Sequence, residues 1–142
     1  MTPYTLRFIP EDEVKLFEKI RAAILRMPDL DLGRDENDSE IILCCHILAR
    51  AVAKVFSLRY EDGYFSERTP YSHSWVLTPT GNIIDLYPVG MLGGPLFVES
   101  VYSWLSPGKK LYRKNPEVVK KDAERASFQR GVELVVRELE KI

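Results

Sequence analysis

The stretch that most constrains the fold is residues 72–86, SHSWVLTPTGNIIDL, which has the pattern of two short strands joined by a tight turn. Successive side chains of a strand point to opposite faces, so His73, Trp75 and Leu77 share one face of the first strand. Residues 79–81, Pro-Thr-Gly, suit a three-residue loop, because proline fixes φ at the first position and glycine tolerates a positive φ. The sequence therefore predicts a β-hairpin.

The register of this hairpin brings a histidine close to a carboxylate. A three-residue loop sets Thr78 opposite Asn82, and the same pairing continued sets Trp75 opposite Asp85. His73 then lies on the face of Asp85, one diagonal step away, which is within side-chain reach, although a direct bond is expected to need a bulge or a tilted sheet. A histidine oriented by a carboxylate forms two parts of a nucleophilic site, of which a cysteine would be the third.

The chain has two cysteines, Cys44 and Cys45, and they are neighbours. Adjacent residues cannot readily adopt disulfide geometry, so both are expected to be free thiols in a reducing cytoplasm. The N-terminus has no pattern of a secretion signal. No apolar run approaches the roughly 20 residues that span a bilayer, so no membrane association is expected.

Length and charge narrow the classes of protein further. A chain of 142 residues without repeats or linkers fits one domain, residues 1–142. A formal charge of −1 gives no electrostatic reason for binding nucleic acid. The sequence does not indicate an oligomeric state.

The remaining segments predict an α+β fold. Apolar residues at helical spacing indicate an N-terminal helix, a central helix buried over most of its circumference and a C-terminal helix, whereas short apolar runs between breakers indicate strands. The predicted helices cover residues 10–27, 39–56 and 116 onward, and the predicted strands cover residues 5–9, 58–65, 96–98 and 111–112, with loops at 28–38, 66–71 and 88–95.

Where the central helix begins decides how reactive its cysteines can be. If it begins at Ser39, Cys45 lies in the second turn, where the helix dipole has little effect. If residues 39–43 are instead an extended lead-in, Cys45 lies at the helix start, where the dipole lowers a thiol pKa. His46 and Arg50 fall on the polar side of this helix.

Cys45 (or Cys44), His73 and Asp85 together predict nucleophilic chemistry, with thiolate attack, histidine as base and acid, and carboxylate as orienting group. Each residue alone also fits a structural role, since free cysteines are commonly buried and strand histidines commonly form hydrogen bonds. A zinc site is a further alternative, although no second histidine or cysteine stands at a usual ligand spacing. Trp75 and Tyr87 would either line a cleft or pack in the core.

These residues resemble the transglutaminase-like branch of the papain-like cysteine protease superfamily. The resemblance covers about a third of the chain and rests on four segments: Cys45-His46-Ile47-Leu48-Ala49, Asp62-Gly63-Tyr64, His73-Ser74-Trp75-Val76 and Gly81-Asn82-Ile83-Ile84-Asp85. It implies a papain-like core with a cysteine-bearing helix on a small antiparallel sheet. It also implies acyl transfer on a peptide, protein or small amide, without a cofactor or metal.

The resemblance favours Cys45 over Cys44 as the nucleophile. In this group a large apolar residue follows three positions after the cysteine and a small one next, which matches Leu48 and Ala49 counted from Cys45. The resemblance does not choose among hydrolysis, deamidation and crosslinking. The alternative is a catalytically silent binding domain that keeps the fold but lacks a competent thiol.

Overall fold

A computed structural model of the protein describes residues 10–65, 71–86, 94–98 and 111–142. Its helices are α1 (Glu11–Arg26), α2 (Cys45–Phe56), α3 (Lys120–Ala123) and α4 (Ala126–Glu140). Its strands are β1 (Arg59–Phe65), β2 (Tyr71–Leu77), β3 (Ile83–Asp85), β4 (Leu96–Val98) and β5 (Tyr112–Lys114). The strands form an antiparallel sheet in the order β4-β3-β2-β1-β5, so the α+β class is confirmed.

The two faces of the sheet carry different cores. On one face, alternate residues of β2 and β3 pack against α2, which also packs against α4. The central helix is buried on most sides, as predicted, through Ile47, Leu48, Ala49, Ala51, Val52 and Ala53. On the opposite face a smaller cluster is built on Trp75, Leu77, Ile83 and Tyr112. The candidate catalytic histidine lies on this second face.

The hairpin forms in the predicted register. Val76 pairs with Ile84, the N–H of Thr78 donates to the carbonyl oxygen of Asn82 at 2.9 Å, and Gly81 has a positive φ of 87°. The turn is also held from outside, by the carboxylate of Glu13 in the first turn of α1. Glu13 is 2% exposed and accepts hydrogen bonds from the N–H and hydroxyl of Thr80 and from the Asn82 amide.

Burial alone would raise the pKa of Glu13, but the hydrogen bonds from Thr78, Thr80 and Asn82 outweigh it and hold the pKa below its usual value. The ionised carboxylate therefore ties the N-terminal helix to the hairpin turn.

Gly63 allows β1 and β5 to approach closely beside the hairpin. A Cβ atom at this position would lie 2.0 Å from the carbonyl oxygen of Arg113 and 2.8 Å from Cη2 of Trp75. Any side chain here would push β5 away from β1 or displace the tryptophan. The glycine is therefore required by packing on the His73 face.

Two predicted helix boundaries are wrong. The central helix begins at Cys45 rather than Ser39, and the alternative of an extended lead-in at residues 39–43 is the one observed. The C-terminal segment is broken, because Arg125 is extended (ψ 138°) between α3 and α4. Glu36 of the preceding loop accepts hydrogen bonds from the N–H and hydroxyl of Ser127, which supplies a cap for α4 from 91 residues away in sequence.

The other predicted elements agree with the structure within one or two residues, where it describes them. The predicted strand at 5–9, Tyr87 and most of the loops at 66–71 and 88–95 lie outside the described residues. Within the described part, no helix is long and apolar enough to cross a membrane.

Candidate active site

Cys45 is the first residue of α2. Cys44 before it is extended, with φ −125° and ψ 169°, and the first helical hydrogen bond runs from the N–H of Leu48 to its carbonyl oxygen at 3.0 Å. The N–H groups of the first turn, including that of Cys45, therefore have no acceptor within the helix. This end of the helix dipole favours a negative charge on the Cys45 sulfur.

His73 lies between this thiol and a buried carboxylate. Its Nε2 is 2.8 Å from Oδ1 of Asp85, and the two side chains are 2% and 0% exposed. The diagonal position in the sheet is thus compatible with a direct bond. The Cys45 thiol and the imidazole are near enough for each to shift the pKa of the other, and since Nε2 is bonded to Asp85, Nδ1 is the ring nitrogen that we assign to proton exchange with the sulfur.

Tyr112 completes the support of the carboxylate. Its hydroxyl donates to Oδ2 of Asp85 at 2.6 Å, so each carboxylate oxygen has a partner. Aromatic rings enclose the imidazole, with centroids 5.1–6.4 Å apart within a group made of Phe65, Tyr71, His73, Trp75 and Tyr112. Trp75 is 1% exposed, so it packs in this cluster and does not line a cleft.

The electrostatics of the pair favour separated charges. Burial alone would raise the pKa of Cys45, but hydrogen bonds from His46 and His73 and their positive charge lower it to about 6. Burial alone would lower the pKa of His73, but Asp85 and the Cys45 sulfur raise it to about 9. Between these values the thiolate and imidazolium forms coexist. At Cys44 burial dominates and raises the thiol pKa.

A second histidine touches the same thiol. Nδ1 of His46 lies 3.8 Å from Sγ of Cys45 and 2.7 Å from Oγ of Ser74. Ser74 in turn donates to Asp62 at 2.5 Å, and Asp62 is bound by both terminal nitrogens of Arg50, at 3.0 and 2.7 Å. The polar side of α2 is therefore turned toward the sheet and forms hydrogen bonds with it.

Three polar residues of this region had no functional interpretation in the sequence: Tyr112, Ser74 and Asp62. Alternation could have placed Ser74 and Asp62 on the helix-covered face of neighbouring strands, since they are opposite each other in the β1–β2 register. A buried acid opposite a serine is a usable signal. Tyr112 offered no such signal, because its strand pairs with β1 only across a long intervening segment.

Among the described residues, no group of three or more His, Cys, Asp or Glu side chains is arranged to hold a metal ion. In comparisons with known proteins, the chain matches no family model, no curated protein and no solved structure.

Proposed function

We propose that the protein is a small cysteine hydrolase or acyltransferase that acts on an amide bond of a peptide, protein or small molecule. Cys45 is the nucleophile, His73 is the base and then the acid, and Asp85 orients the histidine. The observation that carries this proposal is the position of His73, which is bonded to Asp85 and electrostatically coupled to a thiol at a helix start.

In the first half of the reaction, the Cys45 thiolate attacks the amide carbonyl carbon and a carbon–sulfur bond forms. The carbonyl oxygen gains the negative charge, and the N–H of Cys45 at the start of α2 stabilises it. The tetrahedral intermediate collapses, the carbon–nitrogen bond breaks, and His73 gives its proton to the departing amine. A thioester remains on Cys45.

In the second half, His73 is neutral and its Nδ1 accepts a proton from the incoming water or amine. The oxygen or nitrogen of that acceptor attacks the thioester carbonyl, and the carbon–sulfur bond breaks. The products are an acid or a new amide and the regenerated thiolate–imidazolium pair. No cofactor enters this cycle.

The fold fits a transglutaminase-like, papain-like core. A cysteine begins a helix that packs on an antiparallel sheet, and the histidine and aspartate follow in that order on adjacent strands, β2 and β3. Gly63, from the Asp62-Gly63-Tyr64 segment of the resemblance, pairs with His73 between β1 and β2, which also supports this type of core. The proposal of a transglutaminase-like core rests on this placement of the cysteine, the histidine, the aspartate and the glycine.

The rate of iodoacetamide labelling against pH tests the proposed nucleophile. We expect the wild type to label quickly with a midpoint near pH 6, set by the lowered pKa of Cys45. The fast phase disappears in Cys45→Ala, persists in Cys44→Ala and moves toward an ordinary thiol midpoint of about 8.5 in His73→Ala.

The two pKa values predict a bell-shaped dependence of amide turnover on pH. Below about pH 6 the thiol of Cys45 is protonated, and above about pH 9 His73 has lost the proton that the leaving amine needs. Amide turnover should therefore rise through the first value and fall through the second. An unreactive thiol with an ordinary midpoint would contradict the enzyme proposal and favour a catalytically silent binding domain.

A further inference from the structure

The residues that follow the proposed nucleophile and the proposed base are bonded to each other. His46 comes directly after Cys45 in α2, and Ser74 comes directly after His73 in β2. Nδ1 of His46 lies 2.7 Å from Oγ of Ser74. One hydrogen bond therefore joins the helix that carries the thiol to the strand that carries the imidazole, one residue away from each.

The direction of this bond follows from the other partner of Ser74. A carboxylate only accepts, so the hydroxyl hydrogen of Ser74 goes to Oδ1 of Asp62 at 2.5 Å. The oxygen of Ser74 then accepts from His46, which places a hydrogen on Nδ1 of His46 and commits it to the serine. The Nδ1 hydrogen of His46 is therefore used to hold α2 on β2.

Arg50 closes these contacts into a hydrogen-bond ring. Its two terminal nitrogens bind Asp62 at 3.0 and 2.7 Å, and one of them also donates to the carbonyl oxygen of His46 at 3.1 Å. The hydrogen-bond ring thus runs from His46 through Ser74, Asp62 and Arg50 back to His46. Ser74 is 0% exposed, and the guanidinium of Arg50 lies 4.5 Å from the centroid of Tyr60, so packing holds these groups as well.

Apolar packing by itself would leave the position of the thiol less well defined. Leu48 and Val52 belong to the core between α2 and the sheet, but hydrophobic burial is non-directional and does not fix a helix along its axis. Hydrogen bonds depend on distance and angle, so the hydrogen-bond ring fixes the first turn of α2 against β1 and β2. This matters for catalysis, because a misplacement of about 1 Å between reacting groups can cost about 100-fold in rate.

We propose that Ser74 is a positioning residue of the proposed active site, which bonds His46 and Asp62 and thereby sets the separation between the Cys45 thiol and the His73 imidazole. The inference rests on the proposed function, since it concerns the distance between the proposed nucleophile and its base. In this role Ser74 exchanges no proton with the thiol or the substrate.

A change in that separation has a signature that a loss of stability alone does not have. The thiolate and the imidazolium stabilise each other, so moving them apart raises the pKa of Cys45 and lowers the pKa of His73 at the same time. The pH midpoint of iodoacetamide labelling reports the first value, and an NMR titration of the His73 imidazole reports the second. Both are measured on the full chain in Cys44→Ala background, which leaves Cys45 as its one thiol.

The test compares variants that break the bond with variants that keep it. Ser74→Ala removes the hydroxyl, and Ser74→Thr retains it. His46→Ala removes the donor, whereas the amide nitrogen of His46→Asn takes the place of Nδ1 and can still donate to Ser74. Both position-46 variants lack the imidazole, so the difference between them measures the bond and not a charge near the sulfur. Ser72→Ala is the matched control, because its hydroxyl lies 3.4 Å from Nε2 of His46, outside the hydrogen-bond ring.

We expect Ser74→Ala to raise the labelling midpoint by about one pH unit and to lower the His73 midpoint by a similar amount. Ser74→Thr and Ser72→Ala should stay within a few tenths of a unit of the background protein, and His46→Ala should have a labelling midpoint about one unit above that of His46→Asn. Circular dichroism checks that each variant is folded. If a position-74 variant does not fold, the position-46 pair decides.

The outcomes separate the inference from the proposed function. A low background midpoint that Ser74→Ala does not move overturns the inference alone, as does a rise in that midpoint without a fall in the His73 value. Equal midpoints for the two position-46 variants, or a shift in Ser72→Ala, also overturn it. Shifts as expected, in a protein that forms no thioester with activated amides or esters, support the inference and overturn the proposed function. An ordinary midpoint in the background protein overturns both.

Discussion

The two histidines beside Cys45 are each oriented by a carboxylate, but in different ways. His73 bonds Asp85 directly, on a face where both side chains are almost completely buried among aromatic rings. His46 reaches Asp62 through the hydroxyl of Ser74, and Asp62 is already neutralised by Arg50. The direct link leaves Nδ1 of His73 as the base for the thiol. In the second link Ser74 gives its own hydrogen to Asp62 and accepts the Nδ1 hydrogen of His46, which fixes the opposite tautomer.

The difference shows that proximity of a histidine to a cysteine does not define its role. What matters is which ring nitrogen the supporting group has occupied, and whether that group still carries an uncompensated charge. Among the described residues, Asp85 accepts from His73 and from the neutral hydroxyl of Tyr112, so its charge acts on the imidazole. The charge of Asp62 is compensated by Arg50, so it does not act on His46 as the charge of Asp85 acts on His73.

The largest expected effect comes from exchanging each carboxylate for an amide. Asp85→Asn would donate to Nε2 of His73 and force its proton onto Nδ1, so the thiol pKa should rise by about two units, and labelling at pH 5, below both thiol midpoints, should fall by about 100-fold. Asp62→Asn should change labelling far less, but it strands Arg50 and should lower the free energy of unfolding by about 3 kcal/mol. Labelling rates and urea unfolding are measured on both variants. We expect Asp85→Asn to show the larger loss of labelling and Asp62→Asn to show the loss of stability.

If both exchanges slowed labelling equally, the distinction between the two histidines would be wrong. Wild-type protein in the same buffers is the reference for both measurements.

A smaller effect is expected from Gly63→Ala, which acts on the His73 face. The added methyl group meets the Arg113 carbonyl and the Trp75 ring, and overpacking of this kind costs about 1–3 kcal/mol of unfolding free energy. Gly131→Ala is a milder control, because its Cβ would lie 3.4 Å from a flexible methyl of Ile47. Urea unfolding compares the two, and equal losses would mean that the approach of β5 is not the cause.

An effect on stability of the same size is expected from Tyr112→Phe, which leaves Oδ2 of Asp85 without its hydroxyl donor. A lost hydrogen bond of this type costs about 1–3 kcal/mol of stability when the acceptor is buried. Labelling at pH 7 should slow less than tenfold, because Oδ1 still holds His73. Tyr60→Phe, on an exposed ring of β1, should change neither unfolding nor labelling.

Turn residues and strand alternation were enough to predict the hairpin and its register from the sequence. The Pro-Thr-Gly turn and strand alternation placed His73 and Asp85 on one face, and the structure joins them at 2.8 Å. The same rules gave the extent of α1 and the burial of α2.

Long-range contacts were what the sequence could not reveal. The start of α4 depends on Glu36 meeting Ser127, and the orientation of His46 depends on Asp62 and Arg50 meeting across the helix–sheet interface. The start of α2 at Cys45 remained one of two alternatives, because an apolar lead-in at residues 41–44 has the same composition as a helical turn.

The bond network from Glu13 to the hairpin turn has a consequence for the order of folding. It joins residues 67 and 69 positions apart in sequence, so the turn gains its buried partner only after a large loop closes around α2. Such non-local contacts form late and slow the folding rate. We therefore expect the turn to gain its Glu13 partner late in refolding, after the local pairing of the hairpin strands.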